Sequence, residues 1–208
     1  KIEWVEAYGG SLAKLGEVLE AVESGLMDIG DCHVPFDPSK LKAYNFGYFV
    51  PFGTVDPVKS AIAARRVFNN YPQLREYLEK QYNQVYLASG VSASQQFFTK
   101  FPVKSVADLK GRKIGASGAF GQWFQGTGAV IVPSSMASSH TDIRNGVYEG
   151  YPMNEILGFV YKAYRVAPYL TRVDFGPSNV SGITVNRDIW EKLPDYAKKI
   201  FQETADKY

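Results

Sequence analysis

Ser117 and Cys32 are the side chains that would serve this chain as nucleophiles, and His33 and His140 are the only imidazoles available to activate them. Neither histidine sits in a recognisable catalytic context, and no Gly-x-Ser-x-Gly turn surrounds Ser117. An α/β hydrolytic enzyme using Ser117 or Cys32 therefore stands as the alternative reading. One cysteine and two histidines form no cluster with metal-ligand spacing, so no metal or other cofactor is expected. Binding chemistry is better represented. Gly115-Ala116-Ser117-Gly118 offers backbone N–H groups with little side chain over them, and Phe120, Trp123 and Phe124 follow at once. The same residues also suit a tight strand-to-helix turn and a core tryptophan. Tyr148 and Tyr151 flank Glu149-Gly150 and have hydroxyls for a carboxylate, or for backbone carbonyls. Phe36 stands on a turn bounded by Pro35 and Pro38, Asn179 precedes a strand, and Gln95 and Gln96 alternate along an extended segment, so one of the pair should face away from the other.

These groups need a scaffold, and composition permits one. The chain has 208 residues, 45% of them apolar and 21% charged, as in ordinary globular proteins, with enough length for one large domain or two small ones. A formal net charge of +2 with both signs mixed along the chain leaves no basic stripe for nucleic acid. No run approaches the roughly 18 apolar residues of a membrane span, so direct membrane insertion is not expected. The chain starts without Met in the strand-like Ile2–Val5, from which preceding residues are expected.

Periodicity supplies the elements. Ser11 opens a helix with Leu12, Leu15, Leu19 and Val22 on one face, stopped by Gly25, and a short strand follows over 26–30. The aromatic run Phe46–Gly53 predicts a strand entering a loop. Helices are predicted over 58–69 and 72–81, then strands over 85–88 and 94–98. Strands over 113–116 and 129–132 bracket the Gly-rich segment, and a helix over 138–145 stops at Gly146. A helix over 154–163, a strand pair over 169–174 and 182–186, and helices opening at Asp188 and Pro194 complete the chain. Strands alternating with helices argue for an α/β fold with a largely parallel sheet, and a two-lobed protein of this type keeps its ligand at the interlobe cleft.

The order and spacing of several blocks now carry a resemblance. They are Gly10-Ser-Leu with Glu17–Gly30, Pro102–Ile114, Gly146-Val-Tyr-Glu-Gly150 and Thr184–Pro194. Together they resemble the DctP-like periplasmic solute-binding proteins of tripartite ATP-independent periplasmic (TRAP) transporters. The resemblance implies a two-lobed α/β binding protein with mixed parallel sheets and an interlobe cleft. It implies a periplasmic location, an organic-acid ligand and the TRAP membrane permease subunits as partners. It also implies a chain incomplete at both ends. The expected division is an N-terminal lobe over 1–92, a C-terminal lobe with crossover strands over 93–186, and a helical segment over 187–208 returning toward the first lobe.

The departures from that family are as informative. Many members place a ligand-binding arginine where Gly115 stands, a second near Gln95 and Gln96, and an asparagine near Met153. Losing a bidentate arginine forfeits about 1.5–3 kcal/mol, so a small dianion would need another cation. The expected ligand is therefore a monocarboxylate, aromatic or otherwise, held by ring surfaces and amide hydrogen bonds. A ligand-sensing domain of the same fold is the third reading.

Overall fold

The computed structural model describes residues 3–37, 39–177 and 179–207, with the backbone alone at Phe36, Asn179 and Val180. The chain divides into two compact units that are interleaved in sequence. The first is built from residues 1–44, 61–90 and 180–208, and the second from 45–60 and 91–179. Contiguous spans do not describe this division. Residues 45–60 join the second unit, and the strand completing the first unit's sheet comes from beyond residue 179.

The first unit holds strands β1 (Ile29–Cys32), β2 (Gln84–Val91) and β8 (Asn179–Asn186), ordered β1-β8-β2. β1 and β8 run antiparallel, with Ile29 opposite Val185 and Cys32 opposite Gly182. Helix α1 (Val18–Glu23) lies directly over β1, because Gly30 brings no side chain: a Cβ there would stand 2.6 Å from Val22 and 2.7 Å from Val18. Three buried polar residues fix this arrangement. Gln84 donates to Leu19 O at 2.6 Å and accepts from Thr184 at 2.7 Å. Asn186 accepts from Ile189 N at 3.1 Å, capping α6 (Arg187–Lys192), and donates to Val22 O at 2.8 Å. Helix α3 (Pro72–Tyr82) opens with proline and ends at left-handed Asn83, while α7 (Asp195–Lys207) brings Phe201 against Trp190 and Trp4.

The second unit holds β3 (Gln96–Thr99), β4 (Lys113–Ala116), β5 (Val130–Pro133), β6 (Gly150–Met153) and β7 (Tyr169–Thr171), ordered β5-β4-β6-β3-β7. β4 runs parallel to β5 and β6, whereas β3 is antiparallel to β6 and β7. Both faces are covered, since neighbouring strand residues point to opposite sides. Phe98 joins Ile143, Tyr148, Tyr151 and Met153 on one face, and Phe97 joins Ile114, Leu109, Phe124 and Phe175 on the other. Helices α4 (Ser139–Arg144) and α5 (Glu155–Val160) follow β5 and β6.

The fold is the expected α/β type, with several corrections. The sheets are mixed rather than largely parallel, because β3 and β7 join the edge of the five-stranded sheet antiparallel. Strands 169–171 and 179–186 do not pair with each other but lie in different sheets. The aromatic run is not a strand: Lys42–Phe49 forms 3-10 turns, and the four-residue spacing of Tyr44 and Tyr48 buries both rings. Glu3–Val5 is irregular, Ile2 lies outside the described residues, and regular helix begins only at Leu15 instead of near Ser11. Helix α2 (Pro57–Asn70) forms as its periodicity predicts.

Candidate functional site

One edge of the five-stranded sheet collects most of the chemistry. β4, β5 and β6 are mutually parallel, so their C-terminal ends, Ala116, Pro133 and Met153, lie on the same side. The antiparallel register sets Gln96 opposite Met153, and β7 leaves in that same direction from Thr171, opposite Phe97. Segments 94–96, 116–118, 133–136, 153–155 and 172–176 thus converge. Ligands of α/β sheets bind outside the carboxyl ends of parallel strands, where loops diverge and backbone groups remain unpaired by the sheet.

At this edge Tyr148 occupies the room that Gly115 leaves. A Cβ on Gly115 would stand 2.4 Å from the Tyr148 ring, which is fully buried. The glycine serves close packing, and the space expected there for a ligand is filled by the tyrosine. The Tyr148 hydroxyl lies 2.9 Å from Ser134 Oγ, and Ser134 Oγ donates to Asp142 Oδ2 at 3.0 Å. The Tyr148 hydroxyl also reaches Asp142 Oδ2 at 3.3 Å, so its one hydrogen is shared between Ser134 Oγ and the carboxylate. Hydrogen bonds from Ser138, then Ser134 and Tyr148, hold the Asp142 carboxyl below its ordinary range, whereas burial pushes the Tyr148 phenol up. Tyr151, also fully buried, donates to Ser134 O at 3.3 Å and is pushed up to about 12 by burial, opposed by hydrogen bonding with Ser117. Met153 is fully buried, and its neighbour Asn154 caps α5 by accepting from Leu157 N at 2.9 Å.

Both glutamines are buried, and their amides turn to different partners. Gln96 makes a reciprocal pair with Asp174: its Nε2 donates to Asp174 Oδ1 at 2.7 Å, and Asp174 N donates to its Oε1 at 3.0 Å. Asp174 takes a left-handed φ of 53°, a strained backbone that this pair helps to hold. Gln95 turns its Nε2 to Ser92 Oγ at 2.7 Å and Ala93 O at 3.1 Å. That fixes the amide's orientation and leaves Oε1 buried with no donor among the described residues. Trp123 donates its indole N–H to Tyr48 O at 2.7 Å and is stacked by Phe175 at 4.9 Å and Tyr48 at 5.9 Å, with Phe120 edge-on at 4.6 Å. Its ring is therefore already engaged by three aromatic neighbours.

Phe36 lies in a 3-10 turn of the first unit and Asn179 opens β8, but the side chains of both fall outside the described residues. The structure thus gathers Gln95, Gln96, Gly115, Ala116, Ser117, Trp123, Tyr148, Tyr151 and Met153 in the second unit. The sequence reading missed Ser134, Asp142, Arg172 and Asp174. The first and third directly follow strand ends, which was the available signal. Asp142 and Asp174 needed the tertiary contacts.

The nucleophile reading finds no support. Burial, with Asp37 and Asp31 nearby, pushes the Cys32 thiol up to about 12, away from the reactive thiolate. His140 Nδ1 lies 3.1 Å from Lys162 O. Among the described residues no group of His, Cys, Asp and Glu is placed to hold a metal, and no helix is long and apolar enough to cross a membrane.

The chain matches the bacterial extracellular solute-binding protein, family 7 (DctP), over residues 5–208, and it belongs to that family. The family is one of solute-binding receptors, not of enzymes. Solved structures with the same fold include a TRAP periplasmic solute-binding protein from Desulfovibrio salexigens (23% identity, TM-score 0.76), of which this chain covers 59% with 94% of its own length. A marine metagenome TRAP solute-binding protein specific for pyroglutamate is similar at 23% identity and TM-score 0.77, over 96% of this chain and 64% of that one. A TRAP protein from Pseudomonas putida with bound D-glucuronate is similar at 21% identity and TM-score 0.78, over 95% and 64%. The chain therefore spans about three fifths of the length of these relatives.

Proposed function

We propose that this protein is the periplasmic receptor of a TRAP transporter, capturing an organic monocarboxylate and handing it to the membrane permease subunits. The observation that carries this reading is the family match across residues 5–208, which brings the site-bearing second unit wholly within a solute-binding family. Organic acids named for similar structures, pyroglutamate and D-glucuronate, support the ligand class. The interlobe cleft expected from the resemblance is part of this reading, with ligand shifting an open–closed equilibrium through contacts made only when closed. A monocarboxylate is favoured over a dianion because the converging segments contain a single basic residue. Gln95 Oε1, a buried acceptor lacking a donor, suits a solute that carries an N–H or O–H besides its acid group. The same edge proposes Ser117, Gln95 and Tyr151 as contacts, with Trp123 a support for the wall behind them.

Thermal unfolding of ligand-free protein with pyroglutamate, D-glucuronate, benzoate and malate tests the reading. An acid at 100 times its Kd adds about 2.7 kcal/mol, or about 5–10 °C in Tm for a chain of this size. A monocarboxylate is expected to give that shift and malate to give none; no shift with any acid overturns the reading, and benzoate alone decides the aromatic variant.

A further inference from the structure

We propose that Arg172, oriented by Glu155, grips the carboxylate of the solute; this rests on the organic-acid reading above. Arg172 directly follows Thr171 of β7, whose register partner is Phe97, and so stands at the converging edge of the sheet. In segments 94–96, 116–118, 133–136, 153–155 and 172–176 it is the only Lys or Arg. The two positions where the resemblance implies ligand arginines cannot supply a guanidinium here. Gly115 is covered by Tyr148, and the Gln96 amide is spent on Asp174. The positive charge has to come from a neighbouring strand, and β7 provides it.

The geometry of the side chain fits that task. Its Nε donates to Glu155 Oε1 at 3.1 Å, and 72% of the side chain is exposed. Among the described residues no hydrogen bond engages its Nη1 or Nη2. An exposed ion pair of this kind adds little to stability, so its main consequence is orientation. A guanidinium anchored at Nε presents its parallel Nη N–H groups outward, the fork that matches both oxygens of a carboxylate. Glu155 is held at the first turn of α5, whose cap Asn154 ties that helix to the end of β6. On the adjoining segment, Gln95 Oε1 is buried with no donor among the described residues. A carboxylate at Arg172 and an N–H or O–H directed toward Gln95 Oε1 would satisfy both groups. This points to a hydroxy-, lactam- or amino-type monocarboxylate.

Calorimetric titration of wild type, Arg172→Ala, Arg172→Lys and Glu155→Ala with pyroglutamate and with its neutral carboxamide tests the proposal, with D-glucuronate run in parallel. For the acid, Arg172→Ala is expected to weaken binding about 10–100-fold, the loss of one charge-assisted bidentate contact. Arg172→Lys should recover part of that loss, and Glu155→Ala should cost several-fold less than Arg172→Ala. The carboxamide should bind wild type and Arg172→Ala alike. Unchanged acid affinity in Arg172→Ala overturns the assignment while leaving the organic-acid reading intact, as does a Glu155→Ala loss equal to that of Arg172→Ala. Failure of every acid to bind wild type overturns both. Because the side chain is exposed, circular dichroism and Tm of the unliganded variants should match wild type; an Arg172→Ala protein that fails to fold would show a structural role and also overturn the proposal.

Discussion

Asp142 illustrates how single residues at the sheet edge are tuned by hydroxyl groups. Hydrogen bonding from Ser138, Ser134 and Tyr148 favours its ionised form, so its folded-state pKa lies below the ordinary 3.8. As pH falls, the unfolded chain takes up this proton first. The stabilising contribution is therefore complete above the unfolded value and is lost as pH drops through the folded one. Asp142→Asn removes that titration, so wild type should lose more stability than the variant between about pH 5 and about pH 2.5. Urea midpoints at the two pH values measure the difference, and parallel losses would count against the carboxylate network. The sequence reading placed Tyr148 at a functional edge but did not anticipate this partner. Asp142 lies one helical turn beyond Ser138, with nothing in its neighbours to mark it.

Strand β4 shows an element shaped by what packs on it. Its Lys113–Ala116 range was legible from a charged turn running into an apolar segment, and the structure reproduces it. The use of its glycine was not legible, since a glycine serves ligand approach and close packing equally well. Tyr148 decides the matter, because its ring lies where a Gly115 side chain would begin. Gly115→Ala is expected to overpack this face and cost about 1–3 kcal/mol in chemical denaturation. A neutral result would mean that the Tyr148 ring has room to move and that the position is free for a ligand after all. Edge strand β7 makes the complementary point. Only its pairing with β3, a tertiary event, reveals that Arg172 follows directly on the residue opposite Phe97.

At the level of the whole molecule, the chain passes between its two units four times, at 44/45, 60/61, 90/91 and 179/180. The first unit's sheet has β8 at its centre, between β1 and β2, so the N-terminal residues alone lack the strand on which the other two depend. A fragment of residues 1–92 is therefore expected to remain unfolded, with β1 and β2 unable to pair across the vacant position. Circular dichroism and amide chemical-shift dispersion would show this, and a cooperatively folded fragment would overturn the interleaved description. The sequence led us to expect residues 187–208 to return toward the first lobe; that 45–60 and 61–90 would fall in different units was not legible, because local patterns carry no record of which distant strand fills a sheet.

The sequence by itself determined the kinds of elements, their order and the family, since periodicity, caps and glycine stops act within a few residues and the family blocks keep their spacing. It also singled out Gln96, Gly115, Tyr148 and Tyr151, which the fold brings to one end of the five-stranded sheet. Only the tertiary structure decided the strand order, the burial of both glutamines, the engagement of Trp123 by aromatic neighbours and the position of Arg172. Each of those depends on contacts between residues tens of positions apart, whose free energy is gained only when the sheet assembles.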